Sequence, residues 1–326
     1  MSFTDSGYNE WIARHTIEEL EKCPKEKPFF MWCSFPDPHF PFGPPAPYCN
    51  SFSPQDMPDP IAWDDNREKM NELYHAEYYL ERGEESIDGG PCPYSLEQVK
   101  ETKALAWGMV RHVDDCVGKV MEYLEQSDKK ENTVIVFFAD HGELMGDHGM
   151  YCKGPFHYEG LLRIPMMMAW PGHLPEGKRE QGLVSLLDFM PTILELAGID
   201  YPEGAVKAWE GPYAGKKLYP GSPLPGKSLV SLMCGREPGG SDSILVEDDD
   251  DIRQVFLRTL ITQEYKITVY SERTYGELFD LRNDPEEQNN LWEEKAYQKI
   301  KLEMIWKLMQ KLIQNQDRTS RRIGIA

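Results

Sequence analysis

The chain has 326 residues, of which 40% are hydrophobic and eight are tryptophan, so it can fold around a packed core. Its 35 basic and 55 acidic residues leave a net charge of −20. That surface repels nucleic acid and anionic membranes, which excludes both as partners; attraction for an anionic substrate must be local, at a metal, a lysine or a histidine.

Residues 1–5 carry neither the basic nor the apolar region of a signal peptide. No apolar run reaches the length of a membrane span. The seven cysteines form no CxxC pair or zinc spacing, which points to mostly reduced thiols. These features are compatible with a cytoplasmic, periplasmic or secreted protein.

Apolar residues at 8, 11, 12, 17 and 20 predict an amphipathic helix over Tyr8 to Leu20. Pro28 to Phe35 (PFFMWCSF) reads as a buried strand that breaks at Pro36-Asp37-Pro38-His39. Gly43 to Pro93 is proline- and aromatic-rich without clear periodicity, the character of a lid or pocket wall, with room for a short helix around Asn66 to Tyr79. Leu96 to Leu124 predicts a long helix with one apolar face. Asn132 to Ala139 and Ile164 to Trp170 read as strands, and Gly182 to Ala197 as a helix closed by Gly198. This alternation predicts an α/β fold with a mostly parallel sheet flanked by helices.

After Ile199 the character changes. Tyr201 to Gly226 is a Gly/Pro-rich excursion. Short strands at 243–247, 255–260, 265–270 and 277–281 predict an antiparallel sheet, with a terminal helix over Trp292 to Ile313. The expected division is a core of residues 1–235 and a C-terminal α+β subdomain of residues 236–326.

The chemistry concentrates where the strand ending at Ala139 delivers Asp140-His141-Gly142. The C-terminal edge of such a strand is where α/β folds place ligand-binding residues. A carboxylate beside an imidazole offers ligands for Ca²⁺, Mg²⁺, Mn²⁺ or Zn²⁺; the alternative is a solvated turn. Lys153, twelve or thirteen residues on among aromatic neighbours, can pair with ester oxygens and stabilise charge on a leaving group. His39, at the end of the first strand, can bind an anion or protonate a leaving oxygen, or simply stack between Phe40 and Phe42. His148 and His157 are secondary candidates for the substrate pocket. His112 belongs to a helix and reads as structural. Asp248 to Asp251 lacks the ligand spacing and turn glycine of a calcium loop and reads as solvated. Together these residues point to a metal-assisted site for a sulfate or phosphate ester.

In these residues the chain resembles the sulfatases of the alkaline-phosphatase superfamily. The resemblance is carried by Pro28-Phe29-Phe30 through Pro38-His39-Phe40-Pro41-Phe42, and by Asp140-His141-Gly142 through Gly146-Asp147-His148-Gly149 to Lys153. Arg163-Ile164-Pro165 with Trp170-Pro171-Gly172, and Gly276-Glu277-Leu278-Phe279-Asp280-Leu281 through Asn290-Leu291, continue it. It implies that Asp140 and His141 bind a metal, usually calcium, and that His39 and Lys153 hold the sulfate of a small-molecule or glycan ester. It also implies a formylglycine nucleophile, made from a cysteine or serine in a C-x-P-S-R-type motif.

No cysteine or serine here lies in that motif, and the family's N-terminal aspartate pair is absent. The expectation is therefore a C-terminal part of a sulfatase, lacking the nucleophile region and some central strands. Such a chain is inactive alone, exposes apolar edges, and associates with itself or with a complementing N-terminal segment. Phosphonate or phosphate ester hydrolysis, and a non-catalytic binding role, are the competing readings.

Overall fold

Ser95 opens the longest helix among the described residues with a reciprocal cap. Its hydroxyl accepts the Gln98 N–H at 3.3 Å, and the Gln98 side chain accepts the Ser95 N–H at 2.9 Å. The computed structural model describes residues 7–63, 71, 90–92, 94–199, 205–207, 217–220, 226–236, 240–251 and 254–315. The chain divides into two compact units, one of Met1–Gly154 with Gly160–His173, the other of Pro155–Glu159 with Leu174–Ala326.

The first unit holds α1 (Tyr8–Lys22), β1 (Gly90–Pro91), α2 (Leu96–Gln126), β2 (Ile135–Phe138), β3 (Met150–Tyr151), all but the first residue of α3 (Glu159–Leu162), and β4 (Met166–Ala169). Val99, Ala106, Met109 and Cys116 line the buried face of α2. α1 packs on α2 and buries Ala13, Thr16 and Leu20. Burying these stripes, at roughly 25 cal/mol per Å² of apolar surface, holds the helix pair. Both helices match the sequence periodicity, extended by two residues at their C-terminal ends.

The strands differ from expectation. β2 pairs with β4 from Ile135↔Ala169 to Phe138↔Met166, and the pairing is antiparallel. β1 and β3 are also antiparallel, so the expected mostly parallel sheet does not occur among the described residues. A parallel crossover needs a connection that travels the length of the strands, usually a helix. Between β2 and β4 the chain instead runs through a long loop and the one-turn α3.

Residues 28–35 also enter no ladder among the described residues. None of their backbone N–H or C=O groups has a hydrogen-bond partner there. Burial nevertheless alternates along the segment, with Phe29, Met31, Cys33 and Phe35 half-buried and Phe30 and Trp32 exposed by 71% and 59%. That period of two belongs to extended backbone. Trp32 meets the Phe138 ring edge-on, with centroids 5.7 Å apart. The helix expected around residues 66–79 falls, Asn71 aside, outside the described residues.

The second unit holds α4 (Phe189–Leu196), β5 (Ala205–Lys207), β6 (Lys217–Pro220), α5 (Val230–Met233), β7 (Ile244–Asp250), β8 (Val255–Ile261), β9 (Tyr265–Tyr270), β10 (Gly276–Asp280) and α6 (Gln298–Asn315). β7 to β10 form the expected antiparallel meander, in spatial order β10-β9-β8-β7. Leu260, Ile267 and Leu278 from three of its strands pack with Trp292 and with Met304 and Leu308 of α6. α6 starts six residues later than the periodicity suggested, because Trp292 and Gln298 cap its approach: the Gln298 amide donates to Trp292 O at 2.9 Å.

The unit boundary lies earlier than residue 235. Leu183 bridges to Ser241, Lys178 donates to Leu232 O at 2.7 Å, and Asp188 accepts the Lys227 N–H at 2.9 Å. The first of these reaches past residue 235, and the other two hold residues 178–235 together, all within the second unit. All seven cysteines are free thiols.

Candidate anion and metal site

His39 closes a turn, its N–H donating to Pro36 O at 3.0 Å. Its Nδ1 lies 2.7 Å from Phe40 O, and a carbonyl only accepts, so Nδ1 carries the hydrogen and Nε2 faces outward with a lone pair. The imidazole lies against the Phe40 ring at 4.2 Å between centroids. The Lys153 ammonium stands over the same ring, 5.3 Å from its centre. Phe40 is thus the shared neighbour of both expected anion-binding groups.

Lys153 ends a hairpin-like loop that begins at Asp140. Two backbone bonds close it, Leu144 N–H to Cys152 O at 3.2 Å and Gly146 N–H to Met150 O at 2.8 Å. These bonds put Glu143 across from Lys153. Burial pushes the Glu143 carboxyl above the ordinary range, opposed by the Met145 N–H and by the charges of Lys153 and His141. Glu143 therefore feels both ends of the loop. Gly142 is required where it stands, because an added Cβ would lie 2.0 Å from Gly160 O. The Gly142 N–H donates to Leu161 O at 2.7 Å, which brings the Asp140 arm against α3.

Asp140 and His141 sit at the exposed mouth of this loop. Asp140 Oδ1 accepts the His141 N–H at 2.9 Å, and Oδ2 lies 3.7 Å from His141 Nε2. His141 Nδ1 donates to Gly142 O at 2.8 Å, which leaves Nε2 as the free acceptor. A carboxylate oxygen and an imidazole nitrogen this far apart fit a shared dication, whose ligands lie about 2.3–2.6 Å from it. The pair can supply two ligands of the six to eight, roughly, that calcium takes.

The tip of the loop is wound tightly. Met145, His148 and Cys152 have φ of 44°, 55° and 60°, a left-handed geometry that costs a non-glycine residue about 1–3 kcal/mol. Gly146, at φ 94°, takes the same region without that cost. Asp147 holds the tip: its Oδ1 accepts the Ile61 N–H at 2.9 Å and lies 3.6 Å from the Lys103 ammonium of α2. The His148 N–H returns to Ile61 O at 2.7 Å.

The secondary candidates are both enclosed side chains. His148 is buried within this tip. His157 is buried in the second unit, with Nδ1 2.8 Å from Thr259 Oγ1 and Nε2 3.9 Å from Asp248. His112 is buried on α2, stacked on Tyr48 at 4.5 Å and 3.2 Å from the Asn9 amide. His112, Cys116 and Glu10 offer ligand atoms within 4.8 Å of one another, but the Lys119 ammonium already sits 2.5 and 2.6 Å from the two Glu10 oxygens. Glu143, Lys103 and Asp147 were missed in the sequence. The signal for Lys103 was available: it interrupts the apolar stripe of α2 between Val99 and Ala106.

The sulfatase family model matches residues 5–199, and the model of the C-terminal region of N-sulphoglucosamine sulphohydrolase matches residues 246–315. An arylsulfatase of Clostridium perfringens is 28% identical over 320 residues, which cover 95% of this chain and 60% of that protein. An N-acetylglucosamine-6-O-sulfatase of Bacteroides thetaiotaomicron is 27% identical over 194 residues, 59% of this chain and 32% of the relative. The phosphonate monoester hydrolase structure of Agrobacterium radiobacter superposes with a TM-score of 0.79 at 27% identity, covering 96% of this chain and 62% of that one. The chain thus spans about 60% of the length of the arylsulfatase it matches.

Proposed function

The chain belongs to the sulfatase family, and on that premise we propose that it takes part in metal-assisted hydrolysis of a sulfate ester, releasing inorganic sulfate. The observation that carries this reading is the pairing of His39 and Lys153 about Phe40, with Lys153 on the same loop as the Asp140–His141 pair. In this reading the Lys153 ammonium donates to an ester oxygen and stabilises charge on the bridging oxygen as the S–O bond breaks. His39, protonated at Nε2, donates to the same group and can deliver a proton to the departing alcohol. Asp140 and His141 hold the cation, calcium by preference for its oxygen ligand, which acts as a Lewis acid toward the sulfate oxygens when bound.

The nucleophile motif is not among the 326 residues. A formylglycine nucleophile and the remaining metal ligands would then come from a complementing segment, and this chain alone would be inactive. Sulfated glycans are a proposed substrate class, supported by the N-acetylglucosamine-6-O-sulfatase relative.

Inorganic sulfate is the direct probe. We expect the chain to bind it in the presence of calcium, followed by calorimetry, with His39→Ala and Lys153→Ala each weakening affinity by roughly ten-fold. Asp140→Ala should remove the calcium dependence. Sulfate binding no stronger than chloride would sink the reading. The likeness to a phosphonate monoester hydrolase favours a second reading, phosphonate or phosphate ester hydrolysis in the same site. Comparing release of p-nitrophenol from its sulfate and from a phenylphosphonate ester, in a chain supplemented with the missing motif, separates the two. Binding of sulfate with no turnover of either would favour a non-catalytic role.

A further inference from the structure

Two charged side chains that do not contact the Phe40 clamp converge on the tip of the loop that carries it. Asp147 is one residue from the left-handed His148 and two from the left-handed Met145, and its Oδ1 takes both the Ile61 N–H (2.9 Å) and the Lys103 ammonium (3.6 Å). Lys103 is nearly buried, its side chain 10% exposed, and its ammonium also lies 3.5 Å from Pro58 O. The Asp147 Oδ2 approaches Gly160 so closely that a Cβ there would be 3.1 Å away. The Asp147–Lys103 pair thus joins Pro58 and Ile61 to the first third of α2, close beside the start of α3. Between this tip and the mouth there are two cross-loop backbone bonds, from Leu144 and Gly146. Anything that loosens the tip is passed through them to Glu143 and Lys153.

We propose that Asp147 and Lys103 are positioning residues for the anion clamp: the staple they form at the loop tip fixes where Lys153 and the Asp140–His141 pair stand at its mouth. The inference rests on the sulfatase reading of that mouth. A solvated Asp-Lys contact would be interchangeable with water; this one is enclosed, and its backbone partner Ile61 makes a return bond to His148. The staple lies beside two non-glycine residues held left-handed, Met145 and His148. A reacting group displaced by about 1 Å can lose up to ~100-fold in efficiency, so such a distant pair can govern the site.

The test uses the full chain with Asp147→Asn, Lys103→Met and Lys103→Arg, and Asp188→Asn in the second unit as a reference for losing a buried carboxylate. Inorganic sulfate affinity with calcium is measured by calorimetry, and amide exchange of Leu144 and Gly146 by NMR. Asp147→Asn and Lys103→Met are expected to weaken sulfate binding roughly ten-fold and to speed both amides. Lys103→Arg should restore both readouts, and Asp188→Asn should leave both unmoved. Faster exchange with unchanged sulfate affinity would overturn the positioning role, as would no change in either. Absence of sulfate binding in the unsubstituted chain would bring down the functional reading and this inference with it; normal binding with unmoved variants brings down this inference alone.

Discussion

His39 and Lys153 approach one phenyl ring from different parts of the sequence, and they were legible because a histidine and a lysine beside apolar, aromatic runs are out of place on a solvated surface. Asp140 and His141 were legible for the same reason, standing where a hydrophobic strand ends. Asp147 was not, since in a chain with 55 acidic residues one more reads as surface; Lys103 was marked only by its place in the apolar stripe of α2. His157 is enclosed by Thr259, Asp248 and the Lys266 side chain that donates to its carbonyl. Burial holds its imidazole below the ordinary histidine range, against the pull of Asp248. A depressed folded value means that its contribution to stability is complete above the unfolded pKa of about 6.5 and is lost as pH falls below it. Glu287, held up to about 7 by burial, pulls in the opposite sense. The informative measurement is therefore the difference between melting curves of the unsubstituted chain and His157→Gln. That difference should shrink between pH 7.5 and pH 5, and a constant difference would contradict the assignment.

At the scale of elements, the helices and the C-terminal meander followed from periodicity because each has one apolar face and one partner to bury it. The strands of the first unit followed less well. Alternation located residues 28–35 as extended, but which chain they pair with is not written in their own sequence. Ile135–Phe138 gave a strand without giving its direction, which depends on the path of the connection to β4. The loop from Asp140 to Lys153 depends on a backbone-to-backbone approach at Gly142. Gly142→Ala should destabilise the first unit by about 2–3 kcal/mol, because neither Gly160 O nor the arm opposite can retreat. A thermal melt within about 1 °C of the unsubstituted chain would show that the approach is looser than described. In the meander, Lys266 is 1% exposed and pairs with the equally enclosed Glu287, which also accepts the Glu159 N–H at 2.9 Å. Lys266→Met leaves that carboxylate buried without its cation and should cost about 3–5 kcal/mol, measured by denaturant unfolding. A loss below about 1 kcal/mol would mean the carboxylate is neutral in the fold.

For the whole molecule, the net charge of −20 keeps copies apart at long range, while several apolar side chains of the first unit meet solvent. Phe137 and its cross-strand partner Met167 are 37% and 60% exposed, on one face of the β2–β4 pair. Phe30 and Trp32 are also exposed, in a segment whose backbone is unpaired among the described residues. Salt screens the charge and leaves the apolar surface, so self-association in sedimentation should increase from 50 to 500 mM NaCl. A monomer at both salt concentrations, at tens of micromolar chain, would speak against an adhesive edge. The unpaired extended segment has one more consequence, because it leads directly into His39. Lys153 sits on a stapled loop, whereas its opposite number hangs from backbone that no ladder fixes among the described residues. An anion held by both groups restrains that segment, and a strand paired with the segment would restrain it beforehand. Two such events share one free energy, so the factor by which pairing tightens the grip on sulfate is the factor by which sulfate tightens the pairing.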